Sequence, residues 1–594
     1  MVDFDCVMPK SGSPLVKFSQ VSEAFALIEP VQSRLEMTRM LSELLRQATP
    51  SEASIICNLS LGQLKAPYIG TQFNIAEKTV IKSVAELLHL DPKEVAERAK
   101  VLGDLGTVVA EGTWQPSEDL TIHQLFIRLE EIEQISGTGS LELKVHQLRR
   151  LLHDLDKISA KYLIRIIVGQ LRLGFSDMTL IDALSWMVTD DKSLRTPLED
   201  AYNVCADIGF IAQTLKQDGI EAIKNMHVHV GIPIRSAAAE RLPNAAAIIE
   251  KIGSCIAEPK VDGFRLQIHI DNSQQPQKIV FFSRNLQDMS HMFPDLTAAF
   301  SQLPVDSIIC EGEAIAFDLH TQSFLPFQET VKRKRKYGIQ EAIEEFPLRV
   351  FIFDLLYLNG KELLTEPFAD RRKKLAELLQ KVESDTLIMI EEKHVDTAGQ
   401  LEDYFYSTVA AGLEGVVVKR PYSHYIPGKR NFNWIKLKRQ EEGHLEDTID
   451  CVILGYYAGS GKRASFGIGA FLVGVFNKEY DRYETIAKIG TGLSDQEWKE
   501  LKIKCDAHAV DHQPKNVVCV KDLIPDVWVA PEIVCSVRAD EISLSPVHAA
   551  GKTAEKLGFA LRFPRIMGYR PDKSARDATS VKEVERLFED QLKR

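Results

Sequence analysis

The segment AEPKVDGFRLQIHI (257–270) puts one amine, two carboxylates and one guanidinium within eight residues, at Glu258, Lys260, Asp262 and Arg265. On a strand, side chains alternate, so Glu258 and Lys260 share a face. Asp262-Gly263 reads as a tight turn. After it, Phe264, Leu266, Ile268 and Ile270 alternate with Arg265, Gln267 and His269. A lysine at a strand end, beside a glycine turn and an arginine, is unusual for a surface lysine. The bland alternative is a Lys–Asp pair capping a hairpin.

Further segments carry related chemistry. Ser283-Arg284-Asn285 follows an apolar run, and Glu311-Gly312-Glu313 sits inside an apolar strand. Carboxylates in such a strand are costly unless paired or bound to a metal. Phe353-Asp354 ends another strand, and Glu414-Gly415 opens a valine run that ends in Lys419. In Trp434-Ile-Lys436-Leu-Lys438, Ile435 and Leu437 face one way, and Lys436 and Lys438 face the other beside Trp434. Arg562-Phe563-Pro564-Arg565 flanks a rigid dipeptide with two cations. Singly, each reads as a salt bridge or a solvated face. Together they supply a nucleophile, several acids and many cations, which is the inventory of phosphoryl chemistry.

The elements that must position these residues fall into three stretches. Residues 1–227 read as helical: 35–47, 83–90, 140–155 and 160–173 repeat apolar residues at three- and four-residue steps. From 228 to 440, short β-branched and alternating runs appear at 264–270, 278–283, 307–317, 348–358 and 414–420, interrupted by helical patterns near 369–381 and 398–411. That is an α+β domain with antiparallel sheets. From 441 to 594, about five short strands with glycine turns (450–457, 469–476, 483–490, 528–537 and 560–565) suggest a small barrel, followed by a terminal helix near 578–594.

Composition bounds the class. The 594 residues are 45% hydrophobic and 26% charged, as in a globular protein of several domains. No stretch approaches the ~20 consecutive apolar residues of a membrane span. The N-terminal MVDFDCVMPK lacks the apolar core of a secretory signal, so a cytosolic location is expected. The nine cysteines are dispersed without a C-x-x-C pair and read as buried thiols in a reducing compartment. The net charge of −12 argues against wholesale coating of a polyanion but leaves room for a local basic groove. Two runs could line one: 429–439, whose five cations interleave with Trp434, Ile435 and Leu437, and KRKRK at 332–336, for which a solvated loop is an equal alternative. Gly459-Ser-Gly461-Lys462-Arg463 hints at a P-loop but has Tyr456 and Arg463 where glycine and Ser/Thr are required, so it reads as a hairpin loop.

The ordered set Lys260-x-Asp262-Gly263-x-Arg265, Ser283-Arg284-Asn285, Glu311-Gly312-Glu313, Phe353-Asp354, Glu414-Gly415-Val-Val-Val-Lys419, Trp434-x-Lys436-x-Lys438 and Arg562-Phe563-Pro564-Arg565 resembles that of ATP-dependent DNA ligases. Gly103-Asp-Leu-Gly106 and the stretch from Tyr162 to Gly174 are similar to the helical DNA-binding domain of the archaeal and eukaryotic replicative members. The compact form is nearest the archaeal enzymes. The resemblance implies three domains: an all-α DNA-binding domain (1–227), an α+β nucleotidyltransferase domain with ATP-grasp-like antiparallel sheets (228–440), and an OB-fold barrel with a C-terminal helix (441–594).

It also implies roles. Lys260 would attack the α-phosphorus of ATP and carry a covalent AMP, with the cations Arg265 and Lys436 and a bound metal favouring the neutral amine. Glu258 would recognise adenine, and Phe353 would stack on it. Arg265 and Arg284 would hold ribose and phosphate, Glu313 the ribose, and Arg430 and Lys436 the α-phosphate. Glu313 and Glu414 would organise Mg²⁺. On an ideal strand from Glu414, that residue and Lys419 take opposite faces, so the two are not expected in the site together. Arg562 and Arg565, on the barrel, would orient the departing pyrophosphate. Arg149, Arg150, Arg165 and Arg172 are the expected contacts to the DNA backbone.

The partner implied is nicked duplex DNA. A sliding clamp is a further family expectation, with no recognisable binding peptide here. A monomer in the cytoplasm, nucleoid-associated, or in the nucleus of a eukaryote, is expected. Two rivals remain: an mRNA capping guanylyltransferase or RNA ligase with the same lysine chemistry, and a DNA clamp that has lost catalysis. The helical first third and RFPR favour the DNA ligase over the first, and the intact Lys260, Glu313, Glu414, Lys436 and Arg565 favour it over the second.

Overall fold

The computed structural model describes residues 15–70, 73, 75–273, 275–318, 323–325, 327–335, 338–438, 448–459 and 461–592. Its contacts divide the chain into two compact units, one of residues 1–80 and 114–439, the other of 81–113 and 440–594.

Twelve described α-helices lie between Phe18 and Lys224. Their starts carry side-chain caps: Ser33, Thr49, Asp91, Asp104, Thr121, Asp156 and Asp207 each accept from a backbone N–H in the first turn. The helix Pro50–Ser60 is buried almost all round and forms the centre of its layer. The expected helix over 160–173 is shorter, Lys157–Ile167. The chain turns out of it at Gly169, which adopts φ +70°.

The middle of the chain folds into two sheets. The first, of five strands, has the order Ala238–Arg241, Arg430–Lys438, Gly415–Lys419, Cys255–Pro259, Lys393–Val395, and only the first pair is parallel. The second is built on Lys278–Ser283, Phe264–Asp271, Ser307–Asp318 and Leu348–Leu358, all antiparallel. The segment 260–263 is therefore a link between two sheets and does not close a hairpin. The alternation along Phe264–Asp271 has a physical meaning on both sides. Leu266, Ile268 and Ile270 enter the core of the second sheet. Gln267 and His269 are buried too, bonded to the segment 231–234. The helices Phe368–Leu379 and Ala398–Ala410 lie close to the ranges expected.

In the second unit, Ile449–Tyr457 pairs with Ala470–Asn477, Val527–Val529 and Val534–Arg538 in one sheet. The expected strand 528–537 is split into two around Pro531. The run 560–565 is also divided. Gly558–Arg562 pairs with Glu541–Ser545, and Arg565–Tyr569 pairs with Val534–Arg538. Proline at 531 and 564 removes the N–H that each ladder would need. The helix Val581–Leu592 follows.

Candidate active site

Lys260 stands one residue beyond the strand Cys255–Pro259. Its backbone still pairs with the neighbouring strand, its N–H donating to Gly415 O (2.8 Å) and its carbonyl accepting from Glu414 N–H (3.1 Å). Its ammonium is ion-paired with Glu414, which also holds Lys438. Gly415 has φ +138°, and a Cβ there would lie 2.3 Å from Leu437 O. This bend breaks the strand alternation, so Glu414 turns to Lys260 while Lys419, further along, lies against Glu258. Lys419 lines the cavity that opens above Lys260, and Glu414 is not among its lining residues, although it reaches Lys260.

Gly263 is required by close approach: a Cβ would lie 2.2 Å from Ala314 O. Its N–H donates to Glu313 Oε1 at 3.2 Å. Burial pushes the Glu313 carboxyl up to about 7, against the pull of Lys260 and Arg265. Glu311, fully buried, is neutralised within the protein. It accepts from Arg265 Nη2 (2.7 Å), Ser236 Oγ (2.9 Å) and Tyr425 Oη (2.9 Å).

A cavity of about 1420 Å³ opens above Lys260. Glu258, Lys260, Arg265, Arg284, Glu313, Phe353, Arg430 and Lys436 all line it, as do Lys419 and Trp434. Eight Lys and Arg residues face it against four Asp and Glu, so the cavity favours anions although the whole chain is acidic. Partial burial lowers the affinity of Lys436 for its proton, and the nearby Lys438, Arg430, Lys260 and Arg284 act in the same direction. Phe353 meets Trp434 edge to face at 6.1 Å. The Arg265 guanidinium lies 5.5 and 5.4 Å from these two rings. Its Nη1 donates to Ala237 O (2.8 Å), so the protein engages two of its nitrogens. The Glu258 carboxylate is likewise engaged, by Lys419 (2.7 Å) and Arg372 (2.5 Å), and is 2% exposed.

Several supporting residues escape sequence reading. Arg371 and Arg372 are consecutive on the helix Phe368–Leu379, yet both are buried: Arg371 grips Asp354 through two nitrogens (2.8 and 2.9 Å), and Arg372 spans Glu258 and Glu392. The string DRRKK carries no sign of which cations turn inward. Tyr425 also accepts from Ala237 N–H, linking Glu311 to the first sheet.

Arg562 and Arg565 belong to the second unit. Arg562 pairs with Glu541 at 2.5 Å. Arg565 has a 62% exposed side chain and only a 3.8 Å approach to Asp540. Among the expected DNA contacts, Arg165 is corrected. It is 2% exposed and grips Glu29 through both terminal nitrogens at 2.9 Å, so it is a core residue of the helical region.

For a divalent cation, no three His, Cys, Asp or Glu side chains converge among the described residues. Glu313, which lines the cavity, and Glu414, paired with Lys260, offer oxygen donors only, the donor type that suits Mg²⁺ when waters and a substrate phosphate complete it.

Three family models match the chain: "DNA ligase N terminus" over residues 17–185, "ATP dependent DNA ligase domain" over 237–438, and "ATP dependent DNA ligase C terminal region" over 464–573. The chain is 43% identical over 578 residues to the "Probable DNA ligase" of Dictyoglomus thermophilum, covering 97% of this chain and 98% of that one. It is 36% identical to "DNA ligase 2" of Thermofilum pendens (97% and 98% covered) and 36% identical to "DNA ligase 1" of Methanosarcina acetivorans (97% and 100%). The solved structure "Pmar-Lig_PreS3" overlays with a TM-score of 0.52 at 17% identity, covering 93% of this chain and 99% of that one, a likeness of fold. The chain belongs to the ATP-dependent DNA ligase family, in its archaeal-type branch. Its activity is the ATP-driven sealing of nicks in DNA.

Proposed function

We propose that Lys260 is the covalent nucleophile of this ligase and that the residues around the cavity divide the work of its first step. The observation that carries this is the position of Lys260, at a two-sheet junction on the floor of a cation-rich cavity walled by Phe353 and Trp434. The neutral amine attacks the ATP α-phosphorus, the bond to the β-phosphate oxygen breaks, and pyrophosphate leaves. The AMP then passes to the 5′-phosphate of a nick, breaking the P–N bond. The 3′-hydroxyl finally attacks that phosphate and expels AMP.

Phe353 offers its face to adenine, with Glu258 at the edge of the base and Glu313 toward the ribose. Arg265 works as the wall beneath Phe353 and Trp434, and Arg284, Arg430 and Lys436 neutralise phosphate oxygens. Glu313 and Glu414 would hold Mg²⁺, which supplies charge neutralisation at the phosphates when bound. Before attack, Lys260 must leave Glu414.

In this reading helices of 1–227 act on the DNA backbone, 228–440 carries the nucleotide chemistry, and 441–594 is an OB-fold barrel that carries Arg562 and Arg565. The exposed Arg565 is suited to bringing a cation to the pyrophosphate. A monomer acting on nicked duplex, with a sliding clamp as partner, completes the reading.

The test offers α-labelled ATP or GTP to the protein with Mg²⁺, then adds nicked duplex. Label from ATP alone should stay on the denatured protein, move to the nick, and be released as AMP on sealing. Label from GTP would point instead to the capping-type chemistry.

A further inference from the structure

The run 332–336 contains four described cations, and three of them are neutralised locally. Lys332 pairs with Glu329 (2.6 Å), Arg333 is buried against Asp295 (2.6 Å) with its guanidinium 5.7 Å from the Phe293 ring, and Arg335 approaches Glu345 (3.6 Å). Lys334 differs. Among the described residues no carboxylate pairs with it, and its ammonium lies 4.3 Å from the centroid of Phe264, the residue that follows Gly263. It lines the same cavity as Lys260, Arg284 and Met292.

Each feature bears on function. The buried Arg333 anchors the run, which fixes where its neighbour emerges. The Phe264 ring lies beside the ammonium itself and gives it a defined position at the cavity wall. A cation left unneutralised within a cavity already rich in cations raises the energy of the empty site, and an anion relieves it. The reactants of this family that enter such a cavity carry phosphates.

We propose that Lys334 is a phosphate-binding residue of the ligation reaction, contacting the substrate from the Phe264 side of the cavity. The phosphate has two possible sources, the polyphosphate of ATP or the DNA strand at the nick, and the steps separate them. The proposal rests on the reading of Lys260 as nucleophile, and the controls keep the two apart.

The variant is Lys334→Met, which keeps a long unbranched side chain and removes the charge. Lys332→Met, in the same run, is the control, and Lys334→Arg restores the cation. Self-adenylation is measured against ATP concentration, and binding of a pre-adenylated nicked duplex is measured against salt. Loss of one charge-assisted contact should change affinity by ~10-fold or more. A rise of that size in KM for ATP assigns the polyphosphate. A rise of that size in Kd for the duplex, with a salt slope shallower by about one, assigns a DNA phosphate. Either result supports the proposal, as does the pair together, provided that Lys334→Arg recovers most of the loss and Lys332→Met shows none. Unchanged values in both arms overturn it. So does a loss that tracks a lowered melting temperature, which would make Lys334 a packing residue. Absence of any AMP adduct on the wild-type protein would instead sink the reading of Lys260.

Discussion

Replacing Lys419 by Met tests whether a buried charge cluster holds the nucleotide site together. Lys419 is 1% exposed and Glu258 2% exposed, with 2.7 Å between their charged atoms. Burial pushes the Glu258 carboxyl above its usual range and the Lys419 ammonium below its own, against the pull of their contact. Three rings enclose the ammonium, with centroids 4.8 Å (Phe353), 4.5 Å (Phe368) and 4.4 Å (Trp434) away. Removing one partner of such a pair costs about 3–5 kcal/mol, because the other is left charged in a dry place. Arg372 remains on Glu258, which argues for the lower end, about 3 kcal/mol. Methionine replaces the stem in the ring cage, so the loss is electrostatic rather than a cavity effect. The assay is denaturant unfolding of wild type, Lys419→Met, Glu258→Gln and the double variant. The double variant should lose clearly less than the sum of the single losses. The deficit of Lys419→Met should shrink in acid, where Glu258 takes up a proton and the uncompensated charge disappears. A loss under about 0.5 kcal/mol, or strict additivity in the cycle, would refute the reasoning.

Other perturbations have equally definite outcomes. Arg565→Ala should slow self-adenylation by roughly 10²–10³, as loss of a preorganised charge-stabilising donor does, and should spare much of the sealing of a pre-adenylated nick. Equal losses in both single-turnover assays at unchanged melting temperature would contradict a role in the first step alone. Because the Glu313 carboxyl is raised from 4.5 to about 7, its contribution to stability is full below pH 4.5 and is lost as pH rises through about 7. Glu313→Gln should abolish that part of the pH dependence, about 3 kcal/mol, and a stability curve that superimposes on wild type would refute the assignment. Gly263→Ala should destabilise the link between the sheets by several kcal/mol, since the new methyl meets the backbone carbonyl of Ala314 and no side chain there can yield. A melting temperature within a degree or two of wild type would show that the backbone shifts freely there.

Much of this architecture is legible in the sequence, for reasons particular to each part. Four of the N-terminal helices announce themselves through apolar spacing at three- and four-residue steps. The site strands do so through β-branched runs and alternation, and Lys260, Arg265, Arg284, Glu313, Phe353, Trp434 and Lys436, drawn from separate motifs, line one cavity, whereas Glu311, Asp354, Glu414 and Lys438 do not. What is not legible depends on contacts distant in sequence. The polar side of Phe264–Asp271 meets buried partners rather than water, which its alternation cannot reveal. Gly415, at φ +138°, leaves the strand conformation, so strand parity does not reveal that Glu414 reaches Lys260. Arg165 looks like a free cation on a helix, and only the fold brings Glu29 to it across more than a hundred residues. Arg371 and Arg372 are hidden for the same reason: their partners Asp354 and Glu258 lie in other elements.

The central claim is that Lys260 carries the AMP. The direct measurement is peptide mass spectrometry of the full chain after incubation with ATP and Mg²⁺, alongside Lys260→Ala and Lys260→Arg. The account predicts a single AMP on the peptide containing Lys260 and no adduct on either variant, since alanine lacks the amine and a guanidinium stays protonated. An AMP mapped to any other lysine, or one that persists in Lys260→Ala, would contradict it.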